Sequence, residues 1–325
     1  MKLCLARSKR FGLREERIFE QIVGALRIVL DHGVSTMLKQ TEKLSQAEKG
    51  QLFRALHQQP QAFIIPNPWD VGSARLLAHL GFEALATTSM GCAFSAGKLD
   101  NTLDREQVLK HVSKIAAATH LPVSADLENG FGDDPETVAE TIALAANAGC
   151  VGGSIEDATG NTRQPIYELA HAVDRVRTAV AEARRLPFPF TLTARAENYL
   201  HGRLDLTDTI KRLQAFQEAG ADVLYAPGLT TREHIAAVVS SVDRPVNVLM
   251  GLQGVQLTRT ELSAMGVKRI SVGSALYRTA IAAFLRAARE MRERGTFDFA
   301  NEAASPREIG AMLTAENVRE SEKGS

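Results

Sequence analysis

Two carboxylates stand two residues apart in the stretch LPVSADLENGFGD, residues 121–133, where Asp126 and Glu128 close a short apolar run that follows Pro122 and stops at Gly130 and Gly132. Side chains two apart on a strand share a face. The pattern therefore predicts a strand that delivers both acids to its carboxyl end. If that face looks into a cavity, the pair can hold a hard divalent cation through oxygen. Taken alone, the pair reads more simply as two solvated acids beside a turn, so the surrounding elements have to decide between the two.

Those elements repeat. Runs rich in β-formers occur at residues 62–68, 84–89, 122–128, 151–157, 190–197, 223–228, 245–250 and 269–274. Helical patterns lie between them, at 135–148, 165–185, 206–219, 231–242, 258–265 and 277–294, with apolar residues at helical spacing. Several helices end on a glycine before the next strand, as in NAGCVGG and EAGADVLYA, which supplies a left-handed helix stop. Strand runs apolar on both faces need cover on both sides, as parallel β/α units provide. The count predicts an α/β protein, a (β/α)8 TIM barrel. A doubly wound open sheet is the runner-up, but NPWDVGS after the first strand lacks a glycine-rich dinucleotide fingerprint. Residues 1–43 read as an N-terminal extension with an amphipathic helix over about 16–30, residues 44–300 as the barrel, opened by a Ser45-capped helix, and residues 301–325 as a C-terminal helix, over about 306–317, and tail.

Composition narrows the function classes. In 325 residues, 38 Lys and Arg balance 38 Asp and Glu, so the overall charge points to no nucleic acid or other polyanion. No apolar run approaches the roughly 20 residues that span a bilayer. The basic start lacks a continuous apolar core and a small-residue cleavage site. Cys4, Cys92 and Cys150 show no paired or metal-ligand spacing, which fits a reduced, cytoplasmic setting.

In a barrel of this kind, chemistry gathers at the carboxyl ends of the strands. In chain order those ends carry Asn67 and Asp70, Thr88 and Ser89, Asp126 and Glu128, Glu156 and Asp157, Arg195 and Glu197, Asn247, and Ser271 and Ser274. The acids crowd onto the third, fourth and fifth strands. Neighbouring carboxylates repel unless a cation sits among them, and an oxygen-bound Mg²⁺ is the usual solution. A salt-bridge lattice around Arg195 is the structural alternative, with Glu197 as its first partner. Arg195 could instead clamp a carboxylate or phosphate. Histidine catalysis is not indicated, since the histidines fall mainly on helices, and Cys92 reads as structural. The long segment after the second strand, SMGCAFSAGKLDNTLDREQ, reads as a lid, with Asp100 best placed to reach back into the mouth.

Taken in order, ATTSMGCAFSAGKLD, SADLENGFGDD, SIEDATG and TARAEN resemble the isocitrate lyase and phosphoenolpyruvate mutase superfamily, especially its smaller mutase-like members, over residues 50–295. The resemblance implies a Mg²⁺-dependent barrel enzyme, with Mn²⁺ as a substitute, that makes or breaks a C–C or P–C bond in a small oxo or hydroxy acid through an enolate-like species. It implies Asp126 as principal metal ligand, with Glu128 and Glu156 as direct or water-mediated partners. Ser89, Met90 and Gly91 resemble the turn that holds the substrate carboxylate. Asp100 resembles the acid of a gating loop, Arg195 the anion-binding arginine beside Glu197, and Asn247 a polar residue near substrate. Dimers of dimers that exchange a terminal helix are implied as well.

Departures from the family pattern shape the reaction. The lyases' cysteine after the fourth strand is replaced by ATGNTRQPIY, with Asn161 and Arg163. The mutases' histidine at the end of the sixth strand is replaced by Ala226, Pro227 and Gly228. The expected activity is a Mg²⁺-dependent C–C lyase or decarboxylase acting on a small carboxylate. Phosphonate mutase chemistry, a ketopantoate-type hydroxymethyltransferase and a non-catalytic oxo-acid binder are the alternatives.

Overall fold

The computed structural model describes residues 44–321, so the helix expected over 16–30 lies outside the described residues. Helix α1 (Gln46–Leu56) starts at a reciprocal cap: Ser45 Oγ accepts from the Glu48 amide, and the Glu48 carboxylate accepts from the Ser45 amide. This satisfies two amides that the first helical turn would leave without partners. α1 plugs the amino end of the sheet with Phe53, which packs with Phe63, Ile65 and Val151. Gly152 makes room for it, since a Cβ there would stand 2.8 Å from the Phe53 ring.

Eight parallel strands follow in the order β1-β8-β7-β6-β5-β4-β3-β2. They are β1 (Phe63–Ile65), β2 (Leu85–Ala86), β3 (Val123–Asp126), β4 (Gly152–Glu156), β5 (Thr191–Arg195), β6 (Val223–Tyr225), β7 (Val246–Leu249) and β8 (Arg269–Ser271). The ladder between β1 and β8, with Ile64 opposite Ile270, puts β1 and β2 at the two ends of the sheet, and contact between these ends closes it into a barrel and excludes the open-sheet alternative. β2 is only two residues long. Among the described residues, the seam beside β1 therefore rests on one backbone bond, from the Ala86 amide to the Pro66 carbonyl at 3.1 Å, and on Asn67 Nδ2 donating to the Thr87 carbonyl at 3.0 Å.

Between the strands run α2 (Val71–His79), α3 (Ser89–Ser95), α4 (Arg105–Ala117), α5 (Pro135–Asn147), α6 (Leu169–Arg185), α7 (Leu206–Glu218), α8 (Arg232–Ser240), α9 (Arg259–Ala264) and α10 (Ala275–Arg294). α11 (Pro306–Ser321) lies against α2. Two local expectations need correction. The segment after β2 does not begin as an open lid: Thr88 Oγ1 accepts from the Gly91 amide and starts α3. α6 begins at Leu169 rather than 165 because Ala158 and Ile166 pair in an antiparallel bridge. Among the described residues, no helix is long and apolar enough to cross a membrane.

His57, at the end of α1, is buried in that amino-end plug. Its Nδ1 lies 2.8 Å from the Phe53 carbonyl, and its ring stands edge-on to Phe53 and Phe63, each at 4.9 Å. Burial, with the nearby Arg269 charge, lowers its pKa to about 3. Between about 3 and 6.5 the unfolded chain therefore binds a proton that the folded chain refuses, so stability falls as pH drops through that window. We expect His57→Phe to shrink the loss of urea-unfolding free energy between pH 7 and pH 5. An unchanged loss would place the acid sensitivity elsewhere.

Candidate functional site

The carboxyl ends of the strands surround a cavity of about 180 Å³. At about 30 Å³ per water it has room for about six waters, or one small acid. Asp126, the last residue of β3, is oriented from both sides. Its Oδ2 accepts from the Ser89 amide at 3.0 Å, and its Oδ1 accepts from Arg195 Nη1 at 2.9 Å. Its own amide donates to Thr87 Oγ1 at 2.9 Å. β2, β3 and β5 therefore meet at one carboxylate.

Arg195 ends β5 and serves three acids: Nη1 to Asp126, Nη2 to Glu156 at 2.9 Å and Nε to Glu197 at 2.8 Å. Its guanidinium also lies 5.3 Å from the centre of the Tyr225 ring. Burial opposes its charge, but Glu156, Glu197 and Asp126 together raise its pKa well above the usual arginine value. Glu197 is itself held in place, its amide donating to Asp157 Oδ1 at 2.8 Å. Asp157 is in turn paired with Arg212 at 3.1 Å.

Glu128 reaches this cluster by a route other than strand alternation. β3 stops at Asp126, and Glu128 takes a left-handed backbone with φ of 50°. Such a conformation costs a non-glycine residue about 1 kcal/mol or more, and persists where its surroundings fix it. Here the loop is fixed by Arg175 of α6, a buried guanidinium that donates to the carbonyls of Asn129, Gly132 and Asp133 and lies over the Tyr167 ring. Burial, then Asp126 and Asp100, push the Glu128 carboxyl up to about 8. Glu156 is pushed up by burial, with Arg195 opposing and the neighbouring acids adding. Burial and Asp126 raise Asp100 too, and its carboxylate meets the Ser89 side chain.

The residues singled out from the sequence divide into two sets. Ser89, Met90, Asp100, Asp126, Arg195 and Asn247 line the cavity, whereas Gly91, Glu128, Glu156 and Glu197 are outside its wall. Gly91 is a packing glycine, since a Cβ would stand 2.6 Å from Thr88 Cγ2. Two of the three amides expected to hold a substrate carboxylate are engaged by the chain itself: Ser89 donates to Asp126 and Gly91 to Thr88. Asp70, read as a rim acid, caps α2 by accepting from the Ser73 amide at 2.7 Å. Cys92 is buried, and burial with Glu128 and Asp126 pushes its thiol up to about 11, so it stays protonated. Sequence reasoning missed Tyr225 and Arg269, which also line the cavity. The available signal for Arg269 was an arginine opening the strand run RISV.

The donor set suits a hard divalent cation. Its groups are all carboxylate oxygens, and one guanidinium cannot neutralise Asp126, Glu128, Glu156, Glu197 and Asp100 together. Among the described residues, no three acid, histidine or cysteine side chains close on one point. A cation here would therefore take one or two carboxylates directly and complete its shell with water and ligand, as Mg²⁺ ordinarily does.

The sequence profile described as phosphoenolpyruvate phosphomutase matches residues 53–292. A crystal structure from Burkholderia cenocepacia J2315, provisionally described as a lyase/mutase, is 64% identical, with a TM-score of 0.80, over 82% of this chain and 95% of that one. Oxaloacetate acetylhydrolase, solved with its product oxalate, is 26% identical, with a TM-score of 0.76, over 85% of this chain and 97% of that one. The oxaloacetate decarboxylase of Chromohalobacter salexigens is 28% identical over 248 residues, 74% of this chain and 84% of the relative.

Removing the shared guanidinium leaves three partly or fully buried acids without their cation. We expect Arg195→Ala to lower stability by about 3–5 kcal/mol in the absence of divalent ions. Arg195→Lys should recover little of this, because one ammonium cannot replace a planar fork. Urea unfolding of both variants checks this, and a midpoint like that of the unsubstituted protein in Arg195→Ala would show that the acids do not depend on it.

Proposed function

We propose a carbon–carbon lyase, on the premise that the chain belongs to the phosphoenolpyruvate phosphomutase family of the isocitrate lyase superfamily. The reaction is cleavage of a small 2-oxo or 2-hydroxy acid through an enolate-like species, dependent on Mg²⁺ with Mn²⁺ as a substitute. The observation that carries this reading is Asp126, held at the cavity wall by the Ser89 amide and Arg195 with its oxygens already oriented. When bound, the cation supplies Lewis-acid stabilisation of the charge that develops on an enolate oxygen.

The chain's own residues do the rest. Arg195 holds Asp126, Glu156 and Glu197 in fixed positions, so no reorganisation is needed as charge moves. Glu128 and Glu156 serve as outer partners of Asp126, consistent with their places outside the cavity wall. Asp100, within reach of Ser89, closes the mouth beside Met90. Asn247 presents a fixed amide, because its Nδ2 donates to Ser271 Oγ at 2.9 Å. Lyase chemistry stands ahead of mutase chemistry because β6 is followed by Ala226, Pro227 and Gly228, which offer no basic side chain to a phosphonate. The oxaloacetate-cleaving relatives support the same choice.

Helix exchange between copies belongs to the proposal. Helix α10 leaves Leu276, Phe284, Leu285 and Met291 exposed, at 36%, 64%, 41% and 42%, more apolar surface than one solvated helix usually carries. A dimer, or a dimer of dimers, would bury it.

Two experiments test these readings. A screen for Mg²⁺-dependent pyruvate, oxalate or acetate release from oxaloacetate, dimethylmalate and methylisocitrate should find a substrate, and Asp126→Ala should reduce turnover to background. Turnover untouched by that change would sink the metal assignment. For assembly, replacing both Phe284 and Leu285 by Asp should shift the mass in light scattering to that of a single chain, whereas an unchanged mass would put the interface elsewhere.

A further inference from the structure

Among the described residues, one guanidinium in the cavity wall has no acid facing it. Arg269 opens β8, on the wall formed by β6, β7 and β8, away from the acids of β3 to β5. Register puts it in the hydrogen-bonded row of Arg195, since Arg195 pairs with Tyr225, Tyr225 with Asn247, and Asn247 with Arg269, and with the strand tilt that row descends toward the amino end, where Arg269 pairs with Phe63 of the plug. At about 4.8 Å per strand, the two arginines stand about 14 Å apart along the curved sheet, and both look inward.

Their partners differ. The nitrogens of Arg195 already serve Asp126, Glu156 and Glu197. Arg269 is 5% exposed, its Nε donates to the neutral Asn247 Oδ1 at 2.9 Å, and its Nη1 is buried with no hydrogen-bond partner among the described residues. The groups around it bring no negative charge. Burial pushes the Tyr225 hydroxyl up to about 12 and His57 down to about 3, so both are neutral at pH 7. Burial also lowers Arg269 itself, to about 10, which leaves it a cation at neutral pH. On the inward side of β5, the hydroxyls of Thr191 and Thr193 are buried and without partners as well. Water could satisfy these hydrogens, but it would leave the charge of Arg269 uncompensated, and buried charges are ordinarily paired.

We propose that Arg269, with Asn247 and Ser271, forms an anion subsite on the β8 wall that binds a carboxylate independently of the cation site. The shared chemistry is a small carboxylate. On the reading that the cavity takes an oxo or hydroxy acid, its source is the far carboxylate of that same molecule. The near end then faces Asp126 and the far end faces Arg269. Arg195 is occupied by the acid cluster, and Arg269 becomes the residue that distinguishes a diacid from a monoacid.

The test is calorimetric binding to the full chain with Mg²⁺ present, which needs no turnover. The probes are malate, its 4-amide malamate, which keeps the shape and removes the far charge, and lactate, which removes the far group. Malate should bind about ten- to a hundredfold more tightly than malamate or lactate, the range for a charge-assisted hydrogen bond. Arg269→Gln should bring malate to the level of malamate. If Arg269→Gln does not fold, Arg269→Lys, which keeps the charge and loses the fork, should retain a reduced preference. Sodium formate distinguishes the source: saturable formate binding that Arg269→Gln removes, with malate and malamate binding alike, would keep the subsite and make its ligand a free monoanion. Malate and malamate binding alike without formate binding, or a malate preference untouched by Arg269→Gln, overturns the subsite. A protein that prefers malate but cleaves nothing would keep the subsite and lose the lyase reading, and the reverse pattern would separate them the other way.

Discussion

A single guanidinium shared by three carboxylates is the interaction on which the rest of the site depends. Asp126 arrives from β3, Glu156 from β4 and Glu197 from just beyond β5, and Arg195 bonds all three. Each acid is costly to bury charged, and burial tends to neutralise such groups. The barrel resolves this by register. Glu156 stands opposite Arg195 on adjacent strands, and Asp126 stands opposite Ser154 on β4. A slip of one residue in any of these ladders would turn an acid or the arginine to the helix-covered face. The polar cluster therefore also specifies the alignment of the strands.

Support for the cluster comes from outside the barrel. Arg175 ties the loop after β3 to α6, and Arg212 of α7 pairs with Asp157, which holds the Glu197 amide. Removing either guanidinium would release backbone as well as charge. The left-handed Glu128 is one consequence: the loop is fixed at Asn129, Gly132 and Asp133, and Glu128 takes the bend that this leaves.

Much of the fold was legible because its signals are local and repeated. Strand runs, helix-ending glycines and the Ser45 cap each depend on a few neighbouring residues. Where structure and expectation differ, a second local signal marks the difference. Asp70 reads as a rim acid, yet Ser73 three residues on makes it a helix cap. The segment after β2 starts as a helix rather than as loop, and Thr88 is the cap that marks it. Glu128 was harder, because its bend is imposed by Arg175, which bonds the Asn129 carbonyl from 46 residues later in the chain. Arg269 was out of reach for a different reason. Its type was visible, but its lack of an acid emerges only when β6, β7, β1 and α1 close around it.

That difference bears on how such a cavity divides its labour. An arginine bonded to three acids contributes order but little free positive potential, since its charge is already balanced several times over. An arginine bonded to one neutral amide keeps its potential, and the low dielectric around it strengthens that potential. The two lie in one hydrogen-bonded row, with Tyr225 and Asn247 between them and Arg269 at the deeper end. The cavity is thus polarised across its width, negative toward β3 and β4 and positive toward β8. A ligand with a metal-binding oxo-acid head and an anionic tail matches that field in one orientation only. Orientation then follows from charge, and the aliphatic parts of the wall, Ile65, Leu200 and Leu249, are left to set how bulky the carbon chain between the two ends can be.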